Sequence, residues 1–242
     1  MKTLVLYVFH EYNKRVNYFI NNALFQDEAV DFIFICNNKN INFVVPVDVK
    51  VLKRDNIGFD FGGWSDALLT NKLYKNYDNF IFANSSIMGP FINDDYQGKW
   101  IDFYLDKLKD DVKLVGSTIN TCITKYKTPK NMAHVQSYIF AMNFQTLEYL
   151  IDKNIFTMNS YCKTLKEAIK TKEIRMSQCI IKNGWNIGCL HKYYNDVDFR
   201  FKIKQPHEYK LPFLDDIMYP QYKDKLWIKE GLVFIKGNRI PI

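Results

Sequence analysis

Short runs of apolar residues alternate along this chain with stretches in which apolar positions recur every three or four residues. The run at 4–9 has the length and composition of a buried strand. The apolar positions that follow it are spaced i, i+3, i+4, i+7 and i+8, which predicts one face of a helix: Val16, Phe19, Ile20, Ala23 and Leu24.

The same alternation continues to the C-terminus. Further strands are predicted at 32–36, within 43–52, and at 80–83, 113–117, 137–142 and 232–235. Further helices are predicted at 65–74, 100–108, 144–151, 165–169 and 176–183, the last ending at Gly184. Strands that alternate with helices indicate a mainly parallel sheet with helices on both faces.

The domain organisation follows from the same pattern. No linker, internal repeat or low-complexity tract interrupts the 242 residues, so we predict a single α/β domain over 1–242. The two longest loop-like stretches, 120–133 and 195–220, are polar, and loops of this length are often lids or acceptor-binding loops.

Composition excludes several other classes of protein. Apolar residues make up 48% of the chain and charged residues 24%, which is typical of a globular domain with a sizeable core. The 5 cysteines are odd in number and lack CxxC spacing, which argues against a disulfide framework and a zinc site. No signal peptide and no apolar run of about 20 residues is present, so we expect a cytoplasmic protein with reduced thiols and no transmembrane segment.

The net charge of +7 raises the question whether the protein binds an anionic partner. A basic protein can bind nucleic acid, a membrane surface or an anionic small ligand. The lysines are scattered and form no basic block, so a solvated lysine surface is the favoured interpretation and we expect no nucleic-acid partner.

The segment 54–64, RDNIGFDFGGW, is the most informative local feature. It lies between a predicted strand and a predicted helix, and its glycines, aspartates, arginine and asparagine are poor material for a core. In open α/β sheets, ligands bind in the crevice outside the carboxyl ends of the strands. The segment therefore predicts a loop that wraps a polar ligand, and an ordinary strand-to-helix turn is the alternative.

Four segments together resemble nucleotide-sugar glycosyltransferases of the GT-A fold, most closely the rhamnan-synthesis F type and its relatives in large DNA viruses. They are 54–64, 84–91 (NSSIMGPF), 134–138 (HVQSY) and 234–239 (FIKGNR). The resemblance implies a Rossmann-like GT-A domain with a donor half at 1–117 and an acceptor half with a C-terminal closing segment at 118–242. It also implies an inverting hexosyl- or deoxyhexosyltransferase of polysaccharide biosynthesis that uses a nucleotide-sugar donor and a glycan acceptor. For a viral member, the compartment would be the host cytoplasm.

The resemblance also assigns residues to the donor site, where Asp60 would bond sugar hydroxyls and count among the catalytic groups. Asn37 would read a base edge or belong to a turn, and Arg54 would face a phosphate or be a structural cap. Lys236 and Arg239 would fold over the diphosphate or form a solvated basic tail. The implied donor-binding residues are Asn37, Arg54, Asn56, Gly58, Asp60, Gly62, Asn84, Ser85, Ser86, Lys236 and Arg239.

The chain departs from the GT-A pattern at the metal site. Many GT-A enzymes carry Asp-x-Asp where this chain has Asn84, Ser85 and Ser86. Amides and hydroxyls are weaker ligands for Mn²⁺ or Mg²⁺ than carboxylates, so a divalent metal is an open expectation. His191 is the candidate metal ligand, with a structural histidine as the alternative.

The acceptor half should supply the base and contacts to acceptor hydroxyls. Glu173 stands where inverting relatives carry the catalytic carboxylate, with a plain carboxylate at a helix N-terminus as the alternative. Asp196 and Asp198 are the reserve candidates, and His134, Gln136 and Ser137 are the expected acceptor-binding residues. The rival function is a catalytically silent glycan- or nucleotide-binding module with the same fold.

Overall fold

The computed structural model describes residues 1–121, 132–201, 217–219, 222 and 226–240. The predicted loop 120–133, like the predicted loop 195–220, lies largely outside these described residues. Within them, no helix is both long and apolar enough to cross a membrane. Cys36, Cys162, Cys179 and Cys189 are free thiols, and Cys122 lies outside the described part of the chain.

The fold is a single α/β domain, as the sequence predicted. Its strands are β1 Thr3–Phe9, β2 Val30–Cys36, β3 Lys50–Lys53, β4 Asn79–Asn84, β5 Ile87–Phe91, β6 Val112–Gly116, β7 Ile119–Asn120, β8 His134–Val135, β9 Ile139–Asn143, β10 Asn186–Cys189 and β11 Val233–Lys236. Its helices are α1 Lys14–Asn22, α2 Phe59–Leu69, α3 Asp102–Leu105, α4 Phe144–Asp152, α5 Leu165–Ala168, α6 Arg175–Lys182 and α7 Lys229–Leu232.

A 7-stranded sheet in the order β10-β6-β9-β4-β1-β2-β3 forms the centre of the domain. Only β9 runs antiparallel to its neighbours β4 and β6, so the sheet is mainly parallel. Both faces are buried, because alternate side chains of β1 enter two different core clusters, one around Trp64 and Phe82 and one around Tyr7 and Phe34. This two-sided burial explains why the strands read as continuous apolar runs.

A small sheet closes one end of the domain. Strand β11 pairs antiparallel with β5, and the Gly237 N–H donates to the Ser86 carbonyl at 2.7 Å. The pairing brings the C-terminal segment beside the carboxyl end of β4. Neither β5 nor β10 was predicted, because both are short and lack a clear period of two.

Helix α2 begins inside the segment that the sequence predicted as a loop. Gly58, with φ of 77°, caps α2, and Phe59 to Leu69 are helical where a helix was predicted only from residue 65. Gly63, in helix α2, packs against the central sheet. A Cβ added to it would lie 3.0 Å from the side chains of Ile35 and Val8. The glycines therefore serve close helix-to-sheet packing as well as a turn.

The segment around Glu173 also differs from its prediction. Helix α5, a π-helical segment Ile169–Ile174 and helix α6 form one continuous stretch. Glu173 lies in the middle of this stretch, so the interpretation of Glu173 as a carboxylate at a helix N-terminus is wrong. A π-helical turn often marks a functional position, because its extra residue turns neighbouring side chains away from the regular helix face.

Candidate functional site

A cleft of about 440 Å³ lies at the edge of the central sheet where β1 and β4 end. This is the position at which open α/β sheets bind ligands. Its described lining residues come from α1, α2, the end of β4 and the residues after it, the segment between β8 and β9, α5, the π-helical segment, and the end of β11 with the chain after it. They are Arg15, Phe59, Asp60, Phe61, Asn84, Ser86, Ser137, Tyr138, Leu165, Ala168, Ile169, Glu173, Lys236 and Asn238.

Asp60 is one of two carboxylates among the described residues that line the cleft. It lies in the first turn of α2, where the helix dipole favours a negative charge. Its Oδ2 accepts a hydrogen bond from Asn84 Nδ2 at 2.9 Å. Burial, reinforced by the nearby charge of Glu173, raises the pKa of Asp60 from 3.8 to about 6, and the Asn84 hydrogen bond opposes this shift.

Glu173 is the other carboxylate, and two residues of the 134–138 segment hold it. The backbone N–H of Ser137 donates to Glu173 Oε2 at 3.1 Å, and the Ser137 hydroxyl donates to the same oxygen. The other oxygen, Oε1, lies 3.7 Å from His134 Nε2. The Glu173 side chain is 19% exposed, so it is fixed by protein groups and still reaches the cleft.

The tautomer of His134 follows from its second contact. His134 Nδ1 lies 2.8 Å from the Met132 carbonyl oxygen, which can only accept, so Nδ1 carries a proton. In neutral His134, Nε2 therefore presents a lone pair toward Glu173. At 3.7 Å this contact is longer than a hydrogen bond, and it places a ring nitrogen with a lone pair beside the carboxylate.

Two cations flank the carboxylates. Arg15 Nε donates to the Ser85 carbonyl at 2.8 Å, and no hydrogen bond donated by its Nη atoms is found among the described residues. The Lys236 ammonium lies 5.7 Å from the centre of the Tyr138 ring. Sequence reasoning missed Arg15. The available signal was its position in the first turn of α1, where a positive charge is unfavourable to the helix dipole and no acidic residue accompanies it.

Asn37 and Arg54 lie outside the cleft, and the structure gives them a structural role. Arg54 donates to Asp66 Oδ2, Asn37 Oδ1 and the Ile57 carbonyl, each at 2.7 Å. Asn37 Nδ2 donates to the Phe59 carbonyl at 3.2 Å. Both side chains bond to protein partners, which favours the structural-cap interpretation of Arg54 and the turn interpretation of Asn37.

The remaining residues of the 54–64 segment do not line the cleft. Asn56 is exposed, and Gly58 packs against Tyr161. Gly62 is a helix residue whose added Cβ would come within 2.1 Å of the Ile57 carbonyl oxygen. Of the predicted donor residues in this segment, the structure brings only Asp60 into the cleft.

The 84–86 segment reaches the cleft in part. Asn84 and Ser86 line it, and the Asn84 Oδ1 accepts from both the backbone N–H and the hydroxyl of Ser86. Ser85 does not line the cleft, but its carbonyl holds Arg15 in place. The segment that replaces Asp-x-Asp therefore positions Asp60 and Arg15 through hydrogen bonds.

Three other predicted residues lie elsewhere. Gln136 is buried, accepts a hydrogen bond from Thr118 Oγ1 at 2.6 Å and does not line the cleft, so its contact with an acceptor stays a prediction. His134 is also buried and reaches the cleft only through Glu173. The Arg239 guanidinium stacks 5.0 Å from the centre of the Tyr219 ring, outside the cleft.

His191 does not fit the metal-ligand role. It lines a different cavity, and its Nδ1 accepts from the Tyr193 N–H at 3.0 Å. Because Nδ1 is an acceptor, the neutral ring carries its proton on Nε2 and has no lone pair left for a metal. Burial lowers the pKa of His191 from 6.5 to about 4.

The described residues contain no group of three or more His, Cys, Asp or Glu side chains that could hold a metal. Mg²⁺ is often bound by one or two carboxylates together with substrate phosphates. In the cleft, Asp60 is the carboxylate that fits this arrangement.

A family model matches residues 32–221, which is most of the chain and includes Asp60, Asn84 and Glu173. The model is that of RgpF, rhamnan synthesis protein F. The chain belongs to this family. Membership in a rhamnan-synthesis family supports a nucleotide-sugar transferase. A search of curated proteins found no matching sequence.

Solved structures share the fold only distantly. The Francisella tularensis 2-C-methyl-D-erythritol 4-phosphate cytidylyltransferase (IspD) aligns at 13% identity and TM-score 0.43, over 78% of this chain and 89% of that one. A Leptospira borgpetersenii cytidylyltransferase aligns at 13% identity and TM-score 0.39, over 95% of this chain and 90% of that one. The bifunctional glycosyltransferase WbbM aligns at 12% identity and TM-score 0.34, over 64% of this chain but 33% of its own. Because all three scores are low, they carry no argument about activity.

Proposed function

We propose that this RgpF-family protein is an inverting glycosyltransferase that moves a hexosyl or deoxyhexosyl group from a nucleotide-diphosphate sugar to a glycan acceptor. The observation that carries the proposal is the cleft of a rhamnan-synthesis family member in which Ser137 and His134 hold Glu173 near Asp60, with Arg15 and Lys236 beside them. Such a transfer creates negative charge on the leaving diphosphate and releases a proton from the acceptor hydroxyl. The two cations can stabilise the negative charge, and a carboxylate can take the proton.

In this proposal the cations bind the diphosphate. Negative charge grows on the leaving phosphate as the anomeric carbon–oxygen bond breaks, and Arg15 and Lys236 stabilise it. Asp60 accepts hydrogen bonds from sugar hydroxyls and fixes the donor sugar. A divalent cation, when bound, would be held by Asp60 with the donor phosphates and would add to this charge neutralisation.

Glu173 is the proposed general base. Its carboxylate removes the proton from the acceptor hydroxyl while that oxygen forms a bond to the anomeric carbon and the nucleoside diphosphate leaves from the opposite face. The configuration at the anomeric carbon is thereby inverted. The Ser137 hydrogen bonds fix one oxygen of Glu173, and His134 Nε2 can then receive the proton, which regenerates the carboxylate.

Donor hydrolysis in the absence of acceptor tests the proposal. The protein is incubated with UDP-, GDP- and dTDP-sugars, with manganese or with EDTA, and the released nucleoside diphosphate is measured. We expect slow release from at least one donor, and stabilisation of the fold by the matching nucleoside diphosphate in a thermal shift assay. Binding without release in every condition would favour the silent binding module, and neither binding nor release would contradict the donor site itself.

A further inference from the structure

A second cavity of about 830 Å³ lies apart from the cleft. Its described lining residues fall within 93–103, 191–192 and 226–232, and they do not overlap with those of the cleft. Its volume falls within the range of small-molecule sites. Nothing in the proposed transfer uses this cavity.

One part of its wall is aromatic. The Tyr96 and Phe103 rings lie 4.5 Å apart between centroids at 38°, and Trp227 adds a third aromatic side chain. All three are half-buried, so each keeps some ring surface outside the core. Exposed ring surface of this kind packs well against the apolar C–H face of a sugar ring.

The charged groups of the wall discriminate against an anion. Asp95 and Glu230 contribute carboxylates, and Lys192 contributes the ammonium group. Glu230 Oε1 lies 3.6 Å from the Lys229 ammonium, so the described carboxylates and ammonium groups at this wall balance. They leave no excess positive charge for a phosphate, so the nucleotide donor does not suit this cavity. The carboxylates and the amide of Asn93 instead offer acceptors for ligand hydroxyl groups.

The same wall contains two N–H donors without a partner. His191 Nε2 and Trp227 Nε1 are buried and have no hydrogen bond in the described part of the chain. Buried donors are nearly always paired in folded proteins. Both N–H groups are covered in this structure, but the half-buried Trp227 side chain can turn its N–H toward a ligand that supplies an acceptor oxygen.

We propose that this cavity is a second binding site, specific for a neutral saccharide. Sugar hydroxyls accept from Trp227 and donate to Asp95 and Glu230, while one face of the sugar packs on the aromatic rings. Because Trp227 Nε1 is covered, the half-buried indole turns toward the cavity to reach a ligand oxygen. Binding therefore changes the environment of Trp227.

Saccharide binding to the full chain tests this site. Methyl α-L-rhamnoside, methyl α-D-glucoside and their disaccharides are titrated and followed by saturation-transfer NMR and tryptophan fluorescence. We expect millimolar or tighter binding of at least one probe. Trp227→Phe keeps a ring and removes the N–H, and should weaken binding about 10-fold, the loss of one hydrogen bond. Trp185→Phe, a half-buried tryptophan outside the cavity, should leave binding unchanged.

Two results would overturn the second site. One is the absence of binding by any of the saccharides at high millimolar concentration. The other is binding that survives both Trp227→Phe and Tyr96→Ala but is lost in Asp60→Asn, which would assign the sugar to the cleft. Binding of uridine, guanosine and thymidine diphosphates to the same samples reports on the cleft alone, so a failure here is distinguishable from a failure of the proposed transfer.

Discussion

At the scale of single residues, the cleft depends on which polar groups the protein leaves available. Glu173 is held by Ser137 and His134 yet remains 19% exposed, whereas Arg54 donates its hydrogen bonds to protein acceptors. A buried charged group with satisfied partners stabilises the fold, and a fixed charge with free capacity can act on a ligand.

The substitution Glu173→Gln should remove the base and little else. The oxygen of the new side chain can still accept from Ser137, and its amide can donate to the lone pair of His134 Nε2. We expect transfer to fall by roughly 10²–10⁴-fold, the usual contribution of a general base. Nucleoside diphosphate affinity, measured by calorimetry, should not change. Near-normal transfer would exclude Glu173 and move attention to Asp196 and Asp198.

His134 is a positioning residue, and His134→Asn separates the roles of its two ring nitrogens. The new amide can replace Nδ1–H toward the Met132 carbonyl, while the group facing Glu173 is lost. We expect kcat to fall by roughly 10-fold, less than for loss of the base itself, with the donor KM unchanged. The dependence of kcat on pH should also change shape, because the proposed proton acceptor beside Glu173 is gone. A pH profile parallel to that of the wild type would indicate a purely structural role.

Arg15 should contribute to binding of the diphosphate. Arg15→Met removes a charge-assisted contact worth about 1.5–3 kcal/mol, which corresponds to a loss of about 10–100-fold in nucleoside diphosphate affinity. Lys14→Met is the matched control, since this neighbouring lysine is exposed and does not line the cleft. Equal affinities for the two variants would show that only net charge matters.

At the scale of secondary-structure elements, helix α2 and the π-helical segment place the two carboxylates. The sequence predicted a loop where α2 begins, because glycines are poor helix formers. Tertiary packing overrides that propensity, since only glycine lets α2 approach the Ile57 carbonyl and the sheet. The start of the helix in turn aims Asp60 at the cleft.

Gly62→Ala tests this packing. The new Cβ would meet the Ile57 carbonyl oxygen at 2.1 Å, so the loop before α2 has to move. We expect a loss of about 2–4 kcal/mol in the free energy of unfolding, in the range of other backbone clashes and overpacked sites. Gly231→Ala is the control, because its Cβ meets nothing within 4 Å, and it should be neutral or stabilising by up to about 1 kcal/mol. Urea titration measures both.

At the scale of the whole molecule, the sheet edge gathers groups that are distant in sequence. The β11–β5 pairing carries Lys236 to the cleft, and the carboxyl ends of β1 and β4 bring Arg15 and Asn84 beside it.

Two titrating groups have pKa values that burial shifts: Asp60 in the cleft and His191 in the second cavity. They make the free energy of unfolding depend on pH in opposite directions.

Between about pH 4 and 6 these two groups should largely cancel. The pKa of Asp60 is raised from 3.8 to about 6, so its contribution is fully present below pH 4 and is lost as the pH rises through 6. The pKa of His191 is lowered from 6.5 to about 4, so its contribution is present above pH 6.5 and is lost as the pH falls toward 4. Each amounts to at most about 3 kcal/mol.

Two variants separate the contributions. Asp60→Asn should stabilise the protein at pH 7 and steepen the loss of stability from pH 6.5 to 4. His191→Asn, which can still accept from the Tyr193 N–H, should give a protein that becomes more stable over the same interval. Urea unfolding at a series of pH values measures both slopes, and the same slope in the two variants would contradict the assignment.

The sequence by itself determined the class of fold, most of the strands, the family resemblance and the choice of Asp60 and Glu173 as candidate carboxylates. These features are local, because periodicity and motif spacing can be read without knowledge of the tertiary partner. It also identified the RDNIGFDFGGW segment, although that segment is half helix. Tertiary structure decided which polar groups remain available: Arg54 and Asn37 pair with each other, Gln136 pairs with Thr118, and His191 Nδ1 pairs with Tyr193. It also delivered Arg15 to the cleft, since pairing between distant side chains depends on how the strands are ordered in space and not on their order in the chain.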